Sequence, residues 1–190
     1  MTAAPKPATP AAERCPSYYS ATLNSETDYP TVQGTIQVDV AIIGGGFTGV
    51  ATAVELAERG LKVAIIEANK IGWGATGRNG GQVTGSLSGE EAMHKQMSKT
   101  LGHGIQCDLK HGHLHAAMKP VHMNELNASD EEAVRRGMGD QVTLLDAQGV
   151  RNHLQSDLYC GAIKNTRNMH LHPLNLCIGE AKAAESLGAL

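Results

Sequence analysis

The chain has 190 residues, 41% hydrophobic and 18% charged, which suits a globular protein of one or two domains with a real core. Nineteen acidic and sixteen basic residues leave a formal charge of −3, which argues against an electrostatic nucleic-acid footprint, and no Lys/Arg block is long enough for a polybasic membrane patch. Aromatics, at 3%, leave the core to aliphatic side chains, and no apolar stretch approaches the ~20 residues of a spanning helix.

The opening stretch, "MTAAPKPATPAAERCP", has one early cation, Lys6, and no apolar segment, so it does not read as a secretory signal. Its alanines and prolines read as a disordered tail, and residues 1–35 as tail and lead-in. Cys15, Cys107, Cys160 and Cys177 are far apart and form no C-x-x-C pair, so they read as reduced thiols in a cytoplasmic protein.

Val38 to Ile43 is a β-branched run of the kind buried on both faces of a parallel sheet. From Thr48 to Arg59 the spacing becomes helical: Val50, Ala53, Val54 and Ala57 fall on one face, and Gly60 stands where a helix-ending glycine belongs. Leu61 to Glu67 is a second buried strand. Together these predict one βαβ unit of about thirty residues.

The turn of that unit is "GGGFTG", in which Gly44, Gly46 and Gly49 form G-x-G-x-x-G. Alone the pattern is weak. Here it follows a strand, opens a helix, and is answered by an acid, Glu67, at the end of the next strand. Gly44 permits the tight turn, Gly46 lets backbone approach a pyrophosphate, and Gly49 lets helix and strand pack closely. The unpaired N–H groups at the helix N-terminus favour the diphosphate. Glu67 would accept from the adenosine ribose hydroxyls and repel a 2′-phosphate. The unit does not by itself separate FAD from NAD. A second glycine-rich stretch, "KIGWGATGRNGGQ" at 70–82, suits a ligand that continues past the pyrophosphate to a large ring, with Arg78 as a candidate contact. Trp73, the single tryptophan, is expected to pack near it.

Further along, residues 71–89 form a glycine-rich connector, and Glu90–Leu101 is helical in tendency. Residues 105–118 suggest one or two strands. Residues 127–137 suggest a helix with Ser129 as N-cap and Glu132 completing a capping box. Asp146 caps a short helix up to Leu154, 158–165 is a strand, and Pro173 opens a last helix closed by Gly188. His111, His113 and His115 alternate, so a strand would place them on one face, where zinc is conceivable. No carboxylate or cysteine has convincing partner spacing, and no metal is expected. In "HLHP" (170–173), either a role near the cofactor or a cap on the following helix is open to His170 and His172.

"DVAIIGGGFTG", "EANKIGWGATGRNGGQ" and "HLHPLNLCIGEAKAAESLG" resemble the D-amino-acid-oxidase/glycine-oxidase-like (DAO) family of FAD-dependent oxidoreductases, and within it the γ-glutamylputrescine oxidase type, whose lead-in "SYYSATLN" and "YPTVQG" also resemble. The resemblance covers most of residues 17–190. It implies an α/β fold: a Rossmann-like FAD-binding βαβ domain, incomplete here, with part of an α+β substrate domain. The expected division is a lead-in over 1–35, an FAD-binding unit over 36–90, a partial substrate domain over 91–170, and over 171–190 a helix returning to the FAD domain.

The resemblance also implies FAD as cofactor, with Gly44, Gly46, Gly49, Glu67, Thr76, Arg78, Asn79, Gly81 and Gln82 as its contacts. It implies hydride transfer from an amine C–N bond, hydrolysis of the resulting imine, and reoxidation by dioxygen or another acceptor, in polyamine catabolism. No residue stands out as a catalytic acid or base. Family members are about twice this length and carry a longer helical segment near Gly102–Gly104, so the chain is expected to be a partial gene product with an internal deletion. Two alternatives stay open: a non-catalytic or vestigial nucleotide-binding fragment, and an NAD-dependent dehydrogenase.

Overall fold

A computed structural model describes residues 13–84 and 90–190. The tail expected over 1–12 and the part of the connector at 85–89 lie outside the described residues. The chain divides into two compact units. One comprises the N-terminal part to Gly80, Ser98–Asp108 and His172–Leu190; the other comprises Gly81–Met97 and Leu109–Leu171.

The first unit begins with a short helix α1 (Tyr18–Ala21), closed by a reciprocal cap between Ser17 and Ser20. Strand β1 (Val40–Ile43), helix α2 (Phe47–Glu58) and strand β2 (Val63–Ile66) then form the βαβ unit, with the strands parallel and Val40 opposite Val63. Gly60, at φ +81, ends α2 as its position predicts. Helix α6 (Pro173–Ser186) packs against α2, and Ala53, Val54, Val63, Ala183, Ala184 and Ala189 form a core there. Small residues on both helices let the backbones approach, which replaces the missing aromatic bulk. After α6, Leu190 donates to the Val63 carbonyl (2.9 Å) and accepts from Ile65 N–H (2.8 Å), the two-bond pattern of a parallel strand residue beside β2.

The strand expected to be buried on both faces is buried on one. Ile42 and Ile65 pack on the helices, but Ile43 is 81% exposed and Ile66 is also exposed. The two helices cover a single face of a sheet with two strands, so burial alternates along β1, while in β2 both Val63 and Ala64 are buried.

The second unit is an antiparallel sheet. Its centre is β6 (Gly161–His170), paired with β3 (Gln82–Val83), β4 (Lys110–Ala117) and β5 (Val142–Asp146). Helix α3 (Glu90–Leu101) precedes β4, and α4 (Pro120–Arg135) follows it. Gly161 lies where a Cβ would meet the Met123 sulfur at 2.5 Å, so α4 sits directly on the sheet. Asp146 caps α5 (Ala147–Arg151) by accepting from Gly149 N–H at 2.7 Å, as its sequence context predicts.

The helix expected at 127–137 starts seven residues earlier, at Pro120. Proline opens the first turn, and Ser129 is interior, its hydroxyl donating to the Glu125 carbonyl (2.9 Å) rather than capping. Glu132 pairs with Arg135 and Arg136 instead of reaching back to a cap. Nor do the three histidines share one regular strand face. The ladder shifts between His111 and His113 at Gly112 (φ +103), and the His111 ring lies parallel to that of His94, 6.4 Å away. No group of three or more His, Cys, Asp or Glu among the described residues is disposed to hold a metal ion, and no described helix is long and apolar enough to cross a membrane.

Leu126 is 2% exposed on α4. Leu126→Ala is expected to destabilise the second unit by about 2–5 kcal/mol, read as a lower urea midpoint; a change below about 0.5 kcal/mol would contradict this packing.

Candidate functional site

A cavity of about 480 Å³ opens at the N-terminus of α2. It is lined by Ile43, Gly44, Gly46, Phe47, Thr48 and Gly49 from the β1–α2 turn, and by Ala75, Thr76 and Asn79 from the second glycine-rich stretch. That stretch forms a 3₁₀ turn, Ala75–Arg78.

The turn can only be built from glycine at two points. Gly44 has φ +102, a backbone region that side chains disfavour. At Gly49 a Cβ would lie 2.0 Å from the Gly44 carbonyl oxygen and 3.4 Å from Ile42 Cγ2, so the helix could not approach the strand. Of the four N–H groups that a helix start leaves without intrahelical partners, those of Gly46, Phe47, Thr48 and Gly49, only Phe47 has an acceptor among the described residues: Thr76 Oγ1, at 3.2 Å. The other three face a cavity at the positive end of a twelve-residue helix, an arrangement that suits an anion.

Glu67 directly follows β2 and braces the turn. Its Oε2 accepts from Gly45 N–H at 2.6 Å and its Oε1 from Asn69 N–H at 2.9 Å. Each carboxylate oxygen keeps a lone pair beyond these bonds. Behind the turn stands α6. The Cys177 thiol donates to the Gly45 carbonyl at 3.5 Å, and Gly45 also accepts from Gly72 N–H at 2.8 Å, tying the two glycine-rich stretches together. A Cβ on Gly72 would meet Leu174 Cδ1 at 2.6 Å. Burial first, then the charge of Glu180, push the Cys177 thiol up to about 12; Arg14 opposes them, and Glu67 adds least. The thiol therefore stays protonated and keeps donating.

The nine predicted positions divide. Gly44, Gly46, Gly49, Thr76 and Asn79 line the cavity, and Glu67 bonds the Gly45 N–H of the same turn without lining it. Arg78 is exposed; its Nε donates to the Gly74 carbonyl (3.1 Å), and its guanidinium lies 5.5 Å from the centre of the Trp73 ring. Gly81 and Gln82 belong to the second unit, where Gln82 pairs with His170. His172 is the N-cap of α6: its Nδ1 accepts from Asn175 N–H at 3.0 Å. Sequence reasoning missed Gly45, Leu174 and Cys177. The middle glycine of the triplet was a usable signal for the first; the others act across more than a hundred residues.

Residues 39–190 match the family described as DAO, FAD dependent oxidoreductase. The chain belongs to this family. The DAO-family chain is 37% identical to gamma-glutamylputrescine oxidoreductase of Escherichia coli K12 over 192 residues, covering 90% of this chain and 45% of that protein. It is 34% identical to a probable oxidoreductase OrdL of Haemophilus influenzae, covering 93% and 46%. Among solved structures it is similar to glycine oxidase from Bacillus cereus, with a TM-score of 0.69 and 25% identity over 80% of this chain and 45% of that one. The chain therefore spans about half the length of the relatives it matches. The DAO match and these structures agree with the Rossmann-like, incomplete FAD domain read from the sequence.

Glu180, one turn beyond Cys177 on α6, is 8% exposed, and its Oε2 has no partner among the described residues. Burial raises its pKa from 4.5 to about 7. The folded state thus holds a proton that the unfolded chain releases above pH 4.5, so stability is full below that pH and falls as pH rises through about 7. Glu180→Gln should be more stable than the parent at pH 8, by up to about 3 kcal/mol, and equal to it near pH 4. Melting curves of both proteins at the two pH values check this; a difference between variant and parent that is the same at pH 4 and pH 8 would contradict it.

Proposed function

We propose that this chain carries the FAD diphosphate site of an amine-oxidising enzyme of the γ-glutamylputrescine oxidase kind. The observation that carries the reading is the cavity at the start of α2, with its Gly44–Gly49 wall and the open N–H groups of Gly46, Thr48 and Gly49. The residues fit the group. Backbone donors and the helix dipole would bind the diphosphate, Thr76 and Asn79 would close its other side, and Glu67 would take the adenosine ribose hydroxyls with its spare lone pairs while repelling a 2′-phosphate. Arg78, Gly81 and Gln82 are proposed as contacts farther along the cofactor.

A bound flavin would supply the hydride acceptor for oxidation of an amine C–N bond, with water to hydrolyse the imine product and dioxygen or another acceptor to take up the electrons. This chain's own part is binding and orientation. The reading includes a small-molecule amine as substrate and a cytoplasmic setting, supported by four cysteines that form no disulfide. A second reading, nucleotide binding without turnover, is favoured by the same lining, because none of its nine residues is an acid or base.

Thr48 is exposed at the second position of α2. Thr48→Glu is expected to leave the melting temperature unchanged or slightly higher, since an acid suits a helix N-terminus, yet to weaken FAD binding by roughly tenfold or more through repulsion of the diphosphate. FAD titration with flavin fluorescence reads this; unchanged affinity would remove the diphosphate from this cavity. Anaerobic bleaching of the flavin by γ-glutamylputrescine, compared with glycine, sarcosine and D-amino acids, separates the two readings: bleaching supports the oxidase, and its absence with every amine leaves the binding role alone.

A further inference from the structure

Between Glu13 and Tyr29 the lead-in runs from the second glycine-rich stretch onto α6, and from Tyr19 onward it follows that helix in register. Thr22 meets His172 at the N-cap of the helix (Oγ1 to Nε2, 3.1 Å). Because His172 Nδ1 accepts from a backbone N–H, the proton sits on Nε2, and Thr22 accepts it while donating to the Tyr18 carbonyl at 2.7 Å. Asn24 N–H donates to Asn175 Oδ1 at 3.0 Å, and Asn24 Nδ2 to the Gln106 carbonyl at 2.9 Å. Lys182 donates to Ser25 at 2.7 Å, and Tyr29 to Glu185 at 3.2 Å. The contacts advance together from the first turn of α6 to its last. Tyr19 and Leu23 pack against the core cluster that contains Leu174, Cys177 and Ile178, and the Tyr19 ring meets His172 edge-on at 4.9 Å. At the start of the segment the Glu13 carbonyl accepts from Trp73 Nε1 (3.2 Å), in the second glycine-rich stretch itself.

The same helix presses on the cofactor cavity's frame. Leu174 fills the space against Gly72 and Gly77, and Cys177 bonds Gly45. We propose that residues 13–29 are a strap that holds α6 against both glycine-rich stretches, and that Thr22, His172 and Asn175 are positioning residues for the dinucleotide. This rests on the flavin reading above. Neither Thr22 nor Asn175 lines the cavity, so any effect on affinity must pass through the helix and the loops it supports. By reciprocity, a strap that tightens the site is itself tightened when the site is filled.

The test uses the whole chain. Asn175→Ala removes the acceptor for Asn24 N–H, whereas Asn175→Asp keeps an acceptor oxygen there, loses an Nδ2 that has no partner among the described residues, and adds a negative charge in the first turn of α6, where the helix dipole favours it. Thr22→Val removes the other bond. FAD affinity is measured well below each variant's melting temperature, with circular dichroism confirming a native fold. Asn175→Ala and Thr22→Val should weaken FAD binding roughly tenfold, Asn175→Asp should restore it, and FAD should slow hydrogen exchange of residues 13–29 in the parent chain. A strap that served stability alone would lower the melting temperatures, leave the dissociation constants unchanged and show no FAD-dependent exchange; that result overturns the proposal while the flavin reading stands. Should Asn175→Ala not fold, Thr22→Val and the exchange measurement decide. A folded parent chain that takes up no FAD would overturn both.

Discussion

The contact on which the first unit depends is the approach of α2 to the carbonyl of Gly44. With a Cβ of Gly49 placed 2.0 Å from that oxygen, only glycine lets the helix start where it does. The same approach fixes where the open N–H groups of Gly46, Thr48 and Gly49 gather. It also forces the turn to be braced from elsewhere, because a run of three glycines has no side chains with which to hold itself. Glu67 just after β2, Thr76 from the 3₁₀ turn and Cys177 from α6 each supply one hydrogen bond to that backbone. The glycine turn is thus made of main chain, and its precision comes from side chains on other elements.

This division of labour accounts for the composition of α6. The helix is buried around nearly its whole circumference, with Leu174, Cys177 and Ala181 on the loop side and Ala183 and Ala184 toward α2. A helix so placed can afford few charges. Glu180 is the exception: buried without a partner among the described residues, it favours its protonated form until about pH 7. The lead-in is drawn onto α6 because it offers Tyr19 and Leu23 to the apolar surface while satisfying His172 and Asn175, whose polar atoms would otherwise be stranded.

Several expectations held because their causes are local. The β1–α2–β2 order follows from a change of hydrophobic period around a glycine cluster. The Asp146 cap and the helix opened by Pro173 follow from residues within four positions of the helix start. The Ser129 expectation failed for a related reason. A Ser-x-x-Glu pattern is satisfied inside a helix as easily as at its start, and Pro120, at the first turn, had already supplied the start. The strand at Val38–Ile43 was misjudged on burial because a β-branched run records propensity, whereas burial records what covers each face, and here helices cover only one.

The sequence by itself determined the βαβ unit, the glycine geometry at its turn, the acid that follows it and membership of the DAO family. These are short-range patterns, each set by backbone conformation or by spacing along a single element. Only the tertiary structure decided that Leu174 and Cys177 back the glycine-rich stretches, that Glu67 holds Gly45 and Asn69, that Arg78 lies over Trp73, and that residues 17–29 lie along α6 rather than loose in solvent. Most of those contacts join residues 20 to more than 150 positions apart, where chain closure must be offset by packing, and neither period nor propensity records which distant surface a side chain will meet.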